Sequence, residues 1–231
     1  KSFGKLKEAE QVYRKAIELN PNFSKAHSNL GNILRDLGKL REAEQAYRKA
    51  IELDPNSPTT HSNLGNILRD LGKLKEAELV YRKAIELNPN FAEAHSNLGN
   101  ILRDLGKLKE AELSTHKAIN LKPDWAEAYS NLGTILKDLD KLKEAEISTR
   151  KAIELNPNLT IAHLNLGIIL KNMCNLKEAE LSIRQSIKLN PNFAEAHLTL
   201  GNILGNIGNL KEAKLSIYKA IEIKPNYKDA Y

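Results

Sequence analysis

The sequence has only one cysteine, Cys174, among its 231 residues. A single cysteine excludes an intramolecular disulfide and any metal site built from several cysteines. It is compatible with a reducing compartment, so a cytoplasmic location is favoured. Long apolar runs are also missing: the most apolar stretch, 159–173, is interrupted by His163, Asn165 and Lys171. We therefore expect no membrane-spanning helix and no membrane partner.

Catalytic motifs are missing as well. The chain contains no HExxH, no GxSxG, no Walker-type phosphate loop and no acidic pair set apart from lysines and arginines. Its 35 basic and 29 acidic residues give a net charge of +6, but the two signs are interleaved, which does not indicate a polyanion-binding tail. The sequence therefore predicts a protein that is not an enzyme and has no catalytic residues, no metal and no cofactor.

A 34-residue period organises the chain. The segment SNLGNILRDLGKL occurs unchanged at 28–40, 62–74 and 96–108, and altered copies follow at 130–142, 164–176 and 198–210. Prolines keep the same spacing, at Pro21, Pro55, Pro89, Pro123, Pro157, Pro191 and Pro225. A fixed period of this length indicates one supersecondary unit stacked many times.

The prolines also set the repeat numbering. With the third residue after each proline as repeat position 1, six full repeats occupy 24–57, 58–91, 92–125, 126–159, 160–193 and 194–227. Residues 1–23 supply the second half of an earlier repeat, and 228–231 begin a further one. We predict a single repeat array over 1–231. Because the chain starts in mid-repeat without methionine, we also expect it to be a piece of a longer protein.

Each repeat carries two amphipathic helical patterns. Apolar residues at positions 3, 7, 10, 11 and 14 follow one helix face, and those at 17, 20, 24, 27, 28 and 30 follow another. In the first repeat Gly38 can end the first helix in the left-handed conformation, and Pro55 closes the second. Asp140 and Cys174 replace this glycine later, which we expect to cost about 1 kcal/mol each. The short link makes the helices antiparallel neighbours.

This pattern resembles the tetratricopeptide repeat (TPR), whose signature has Leu at position 7, Gly or Ala at 8, Ala at 20, an aromatic residue at 24, Ala at 27 and Pro at 32. The first repeat matches it with Leu30, Gly31, Ala43, Tyr47, Ala50 and Pro55. The resemblance covers essentially the whole chain and implies an all-α fold, a right-handed α-solenoid of antiparallel helix pairs. Position 24 departs from the family pattern in the later repeats, at Thr115, Thr149, Ile183 and Ile217.

The resemblance also implies a function. In this family the first helix of each pair lines a concave groove, so we expect a scaffold that binds a protein or peptide segment there. Side-chain amides suit such a role because they offer both donors and acceptors to a peptide backbone. The candidate partner-binding residues are the asparagines of positions 6 and 9 and the cations of position 12: Asn29, Asn32, Arg35, Asn63, Asn66, Arg69, Asn97, Asn100, Arg103, Asn131, Lys137, Asn165 and Lys171.

Other interpretations of these residues remain open. The asparagines could instead hydrogen-bond between neighbouring repeats, since a buried amide needs partners in either case. The array could also be the substrate-recognition arm of a glycosyl- or sulfotransferase whose catalytic domain lies elsewhere. RNA binding would need a basic groove. Aspartates follow the position-12 cations in four repeats, so no nucleic-acid partner is expected.

Four aliphatic residues interrupt the polar pattern of the first helices. Ile161, Leu164, Ile168 and Leu198 stand at positions 2, 5 and 9 of the fifth repeat and position 5 of the sixth. If these positions face the groove, the four side chains form one exposed apolar patch, and such patches mark contact sites. The alternative is ordinary variation in a less regular repeat.

Two further features concern packing and self-association. Five histidines share position 4, but stacked helices lie about 8–10 Å apart, too far for two of them to bind one zinc ion at about 2 Å. We interpret them as packing residues. Terminal repeats need a polar cap, and Leu215, Ile217 and Ile221 are predicted to be poorly covered at the last helix. Self-association through uncapped terminal repeats is the resulting expectation.

Overall fold

The computed structural model describes residues 3–225, and this range is all-α. Its helices are α1 (Phe3–Leu19), α2 (Ser24–Asp36), α3 (Leu40–Leu53), α4 (Pro58–Asp70), α5 (Leu74–Leu87), α6 (Ala92–Asp104), α7 (Leu108–Leu121), α8 (Ala126–Asp138), α9 (Leu142–Leu155), α10 (Thr160–Asn172), α11 (Leu176–Leu189), α12 (Ala194–Ile207) and α13 (Leu210–Ile223). The predicted helix pairs and the all-α class are confirmed. The expected start of a further repeat at 228–231 lies outside the described residues.

The helices form two compact units, Lys1–Leu121 and Lys122–Tyr231. Unit 1 contains α1–α7 and unit 2 contains α8–α13. We call the first helix of each hairpin an A helix (α2, α4, α6, α8, α10, α12) and the second a B helix (α3, α5, α7, α9, α11, α13), and α1 corresponds to a B helix. Within a unit, each A helix packs on its own B helix, and neighbouring A helices also touch.

The turn inside each hairpin uses a left-handed residue at repeat position 15. At the end of α2, the Gly38 amide donates to the Arg35 carbonyl at 2.9 Å and the Lys39 amide to the Leu34 carbonyl at 2.8 Å, which satisfies two carbonyls of the last helical turn. Gly38 has φ 75°. Asp140 and Cys174 take the same turn with φ 61°, so the left-handed conformation on which their expected cost depends is present.

The helices of a hairpin approach closely where position 8 is glycine. A Cβ on Gly65 would lie 2.6–2.8 Å from ring atoms of Tyr81, and one on Gly133 would lie 2.1 Å from Oγ1 of Thr149. Both position-24 side chains are 0% exposed. The core of each hairpin therefore centres on a position-24 side chain that packs over the position-8 glycine, whether that side chain is Tyr, Thr or Ile.

Ion pairs join the B helices of neighbouring repeats. The half-exposed Arg48 binds Glu44 on its own helix at 2.9 Å and Glu76 on α5 at 2.5 Å. Lys73, which precedes α5, binds the other side of Glu44 at 2.9 Å. Glu44 is only 8% exposed, so these ion pairs lie partly below the surface of the B helices. The same pattern recurs at Glu10 and Glu78.

Candidate partner-binding face of the A helices

Two position-9 amides of unit 1 are held in a fixed orientation by a tyrosine from the core of their own hairpin. The phenol of Tyr47 donates to Oδ1 of Asn32 at 2.7 Å, and that of Tyr81 donates to Oδ1 of Asn66 at 2.8 Å. Burial raises the pKa of Tyr47 to about 12, so the phenol stays protonated and remains a donor at neutral pH. Since each Oδ1 is held, the half-buried Asn32 and Asn66 keep an Nδ2 group that makes no hydrogen bond to any residue the structure describes.

Two of the position-6 amides form hydrogen bonds between neighbouring A helices. Asn97 donates to Oδ1 of Asn66 on the preceding A helix at 3.4 Å. Asn165 donates to Ser130 at 3.0 Å and to Thr134 at 3.1 Å, both on the preceding A helix. For Asn97 and Asn165, hydrogen bonding between neighbouring repeats is therefore the interpretation that the structure supports.

Three of the remaining candidate amides make no side-chain hydrogen bond to the described residues. Asn29 is exposed, and Asn63 and Asn100 are half-buried; none of the three is hydrogen-bonded through its side chain within residues 3–225. Asn131 is also half-buried. Asn100 differs from Asn32 because the hairpin carries Thr115 instead of tyrosine, and Oγ1 of that buried threonine has no partner among the described residues.

The position-12 cations are half-buried and paired with the next residue. Arg35 binds Asp36 at 3.0 Å, and side-chain exposures of 38% and 32% leave both groups in contact with solvent. The same pair recurs one residue apart at Arg69, Arg103 and Lys137, with distances of 2.9–3.0 Å. Lys171 is followed by Asn172 and makes no ion pair within the described range. Exposed pairs of this kind contribute about 0–1 kcal/mol, so a ligand carboxylate can replace the aspartate at little cost.

The predicted apolar patch is wrong as a single exposed surface. Leu164 is 1% exposed and Leu198 is 8% exposed. Ile168 is partly buried against a core cluster that includes Leu164, and only Ile161, at 41%, is an exposed large hydrophobic residue. The physical reason is that position 5 is an interior position of the A helices.

The serines of the earlier repeats show the same burial. Ser62, Ser96 and Ser130 occupy position 5 with exposures of 2–4%. A leucine at this position therefore adds to the packing and does not expose an apolar side chain. Position 5 thus contributes nothing to a partner-binding surface.

The position-4 histidines hold the connection between hairpins, which sequence reasoning did not identify. Nε2 of His95 lies 3.0 Å from the Pro89 carbonyl, and His27, His163 and His197 make the same contact at 2.9 Å. His61 uses Nδ1 and the Ser57 carbonyl instead, at 2.9 Å. The recurrence of Pro and His six residues apart was the available signal. No group of three or more residues suited to hold a metal ion occurs within the described residues.

This geometry defines a class of protein: a helical-repeat module in which A helices align oriented amides and weakly paired cations. Comparison with known families identifies it further. Models of the tetratricopeptide repeat match residues 12–45, 92–125, 126–159, 161–193 and 194–227, and a TPR repeat model matches 31–68 and 65–106. The chain therefore belongs to the tetratricopeptide repeat family, and its fold is an all-α repeat solenoid. A comparison with curated proteins gave no match.

Solved structures support the same assignment. YrrB, described as a TPR protein with an unusual peptide-binding site, is 30% identical with a TM-score of 0.58, over 81% of this chain and 96% of that one. MamA is 28% identical with a TM-score of 0.60, over 70% and 95%. The Cut9–Hcn1 hetero-tetramer of APC/C shares the fold with a TM-score of 0.86 at 17% identity, over 98% of this chain and 45% of that one. Within the described range, no helix is both long and apolar enough to cross a membrane.

Proposed function

We propose that this protein is a non-enzymatic scaffold and that unit 1 binds an extended segment of a partner protein across its A helices. The observation that carries the proposal is the pair of tyrosine-oriented amides on consecutive A helices. Asn32 and Asn66 each present an Nδ2 donor whose direction is fixed before a ligand arrives. A donor held in place loses little conformational entropy on binding, so more of its hydrogen-bond energy appears as affinity.

The spacing of these amides suits an extended chain. Packed helices lie about 8–10 Å apart, and α2 and α4 are in contact. Three residues of extended polypeptide cover about 10 Å. A segment that crosses the A helices therefore brings a backbone carbonyl to each oriented amide at intervals of about three residues, whatever its side chains are.

The position-12 cations add a preference for acidic residues in the partner. Arg35 and Arg69 stand three residues after the oriented amides, one helical turn away on the same face. Their own aspartates bind them only at the surface. A carboxylate on the bound segment can make bidentate contacts with the guanidinium group, the strongest type of hydrogen bond available here.

The comparisons favour this function over the transferase arm. YrrB, a TPR protein with a peptide-binding site by its description, covers most of this chain. None of these similar structures supports the glycosyl- or sulfotransferase interpretation. The proposed ligand is accordingly a polypeptide segment, and neither a glycan acceptor nor a nucleic acid.

The test is selection of 12-residue random peptides on phage against the full chain, followed by fluorescence anisotropy with the enriched peptides. The variant is N32D with N66D, because aspartate keeps the oxygen that accepts the tyrosine phenol and replaces the Nδ2 donor by an acceptor, while adding one negative charge at each site. Two lost hydrogen bonds should weaken binding by about 1–3 kcal/mol, which is about 5- to 150-fold. The matched control, N56D with N90D, makes the same charge change in exposed loops of unit 1.

The proposal fails if no peptide is enriched. It also fails if enriched peptides bind N32D/N66D as tightly as the N56D/N90D control. Circular dichroism of both variants shows whether their helicity is retained, and the expected result is unchanged spectra.

A further inference from the structure

The B helices from α5 to α13 present an aliphatic side chain to solvent at repeat position 22. We call these residues, taken within each unit, the outer ladder. It consists of Leu79 and Leu113 in unit 1 and Ile147, Leu181 and Leu215 in unit 2, with exposed fractions of 68%, 71%, 70%, 68% and 61%. Leu215 is exposed as expected, but its place in the last described helix is not the reason. Its equivalents in the earlier B helices are at least as exposed.

Folding does not explain the outer ladder. The side chains lie outside the core, and α3 of the first hairpin carries the polar Gln45 at the same repeat position. A single exposed leucine is ordinary. An aliphatic residue at one solvent-facing position of five successive B helices is a pattern that packing does not require.

Uncompensated lysines flank the ladder. Position 18 lies four residues before it, on the same helix face, and carries the exposed Lys143, Lys177 and Lys211 in unit 2. None of the three makes an ion pair within residues 3–225. Beside Lys177 and Lys211 the acidic neighbours are engaged, since Glu178 binds Arg150 and Glu212 binds Arg184, whereas Glu144 beside Lys143 is exposed. The rim of the ladder is therefore positively charged along α11 and α13.

Grooves lined by both aliphatic and charged side chains lie beside the ladder. In unit 2 a groove of about 490 Å³ lies between α11 and α13, and its lining includes Ile187, Leu200 and Leu215 together with Arg184 and Glu212. Unit 1 has an equivalent groove of about 490 Å³ between α5 and α7, where Leu113 takes the same place. Each groove can accept an aliphatic side chain that a partner inserts between two B helices.

We propose that the B-helix face of unit 2 is a second docking site, for an amphipathic helix of a partner protein whose apolar stripe is flanked by Asp and Glu. Neighbouring B helices are joined by ion pairs of long side chains, such as Arg184 with Glu212, so their spacing is at least that of directly packed helices, about 8–10 Å. This is comparable with the rise of about 10.5 Å between residues i and i+7 of an α-helix. A partner helix that crosses them can bring three aliphatic residues to Ile147, Leu181 and Leu215. Its acidic flank then meets the position-18 lysines.

The charges and grooves distinguish this occupant from two others. A second copy docked face to face would place the lysine rim of one chain against the lysine rim of the other, which is repulsive. A flat anionic bilayer cannot enter the grooves between the helices. An acidic helix fits both the charge and the shape.

The experiment replaces the three ladder residues of unit 2 with glutamine, the residue that α3 carries at the same repeat position. The variant I147Q/L181Q/L215Q is used for counter-selection of a phage library of 16-residue helical peptides with aliphatic residues at i, i+3, i+4 and i+7 and Glu at the flanking positions. Enriched peptides are then measured by fluorescence anisotropy. We expect the triple variant to bind at least tenfold more weakly, and K143Q/K177Q/K211Q to remove most of the salt dependence of binding between 50 and 300 mM salt.

The control separates this site from the A-helix face. N32D/N66D should bind the enriched helical peptides as tightly as the wild type, whether or not the A-helix face binds extended peptides. The proposal is overturned if no peptide is enriched over the triple variant. It is also overturned if the triple variant abolishes a wild-type dimer in sedimentation, or if it abolishes binding to vesicles with 30% phosphatidylserine, because the occupant is then a second copy or a membrane.

Discussion

Two glycines one turn apart in α12 provide a matched test of the packing inside a hairpin. A Cβ on Gly201 would lie 2.6 Å from Cγ1 of Ile217 and 3.1 Å from the carbonyl oxygen of Ala213. A Cβ on Gly205 would meet no atom within 4 Å. We therefore expect G201A to lower the free energy of unfolding and G205A to raise it, although the chemical change and the helix are the same.

The expected change in the free energy of unfolding is the sum of two terms. Replacing an interior helical glycine such as Gly201 with alanine adds about 1 kcal/mol of helix stability. Gly205 lies in the last turn of α12, so its gain is no larger than this. At Gly201 the gain is opposed by overpacking against a side chain and a backbone oxygen, which costs about 1–3 kcal/mol. The net expectation is a loss of about 0–2 kcal/mol for G201A and a gain of up to about 1 kcal/mol for G205A. The difference between the two variants is therefore set mainly by the steric contact at Gly201.

The assay is urea unfolding followed by circular dichroism, combined with amide hydrogen exchange in α12 and α13. Exchange is needed because long repeat arrays do not always unfold in one step, and it reports on the affected hairpin directly. A difference below about 0.5 kcal/mol between the two variants, or faster exchange in G205A than in G201A, would show that position 8 is not a close contact. The proposed packing of position 24 over position 8 would then be wrong.

Two further predictions follow from the turn and from the B-helix ion pairs. C174G should raise the free energy of unfolding by about 0.5–1 kcal/mol by relieving a left-handed cysteine, whereas G72A at the equivalent turn should lower it by about 1 kcal/mol, both measured by urea unfolding. Burial raises the pKa of Glu78, but hydrogen bonds from Lys107 and Arg82 outweigh it and hold the pKa below its usual value. A lowered folded-state pKa gives stability that is present above about pH 4.5 and is lost as the pH falls through the folded value. E78Q should therefore be less stable than the wild type at pH 7, by about 1 kcal/mol after discounting for solvent screening. The two should converge in acid, once the Glu78 carboxyl is protonated in the folded state, and a difference that stays constant from pH 7 into acid would contradict the assignment.

The fold was predictable because its determinants recur every 34 residues. The apolar spacing gives the helix type, and the turn residue and proline give the ends. The predicted left-handed conformation of Asp140 and Cys174 rested only on their place in the repeat, and both have φ 61°. The single array over 1–231 and its handedness stay predictions, because each unit stands as a compact body in its own right.

The A-helix face was less predictable because an A helix in a stack has more than one buried side. A helical pattern assigns position 5 to the polar side, yet Ser96 and Leu164 are both buried there. Small serines gave no apolar signal of burial in the first four repeats. The ion pairs between B helices were missed for a similar reason: Arg48 and Glu76 are 28 residues apart, beyond any spacing that one helix can indicate.

The side chain inside each hairpin also determines the chemistry of its A-helix face. In the first two hairpins a tyrosine at position 24 fills the space over the glycine and extends its phenol to the amide of Asn32 or Asn66. In unit 2 position 24 is threonine or isoleucine, which fills the same space but cannot reach that surface, and position 9 changes to Thr134 and Ile168 in the first two hairpins of the unit. Asn100 in the third hairpin is the intermediate case, since position 9 is still asparagine although position 24 is Thr115 and offers no phenol. An amide without its tyrosine is free to rotate and loses the advantage of a fixed donor, so a substitution in the core is sufficient to change what the surface can bind.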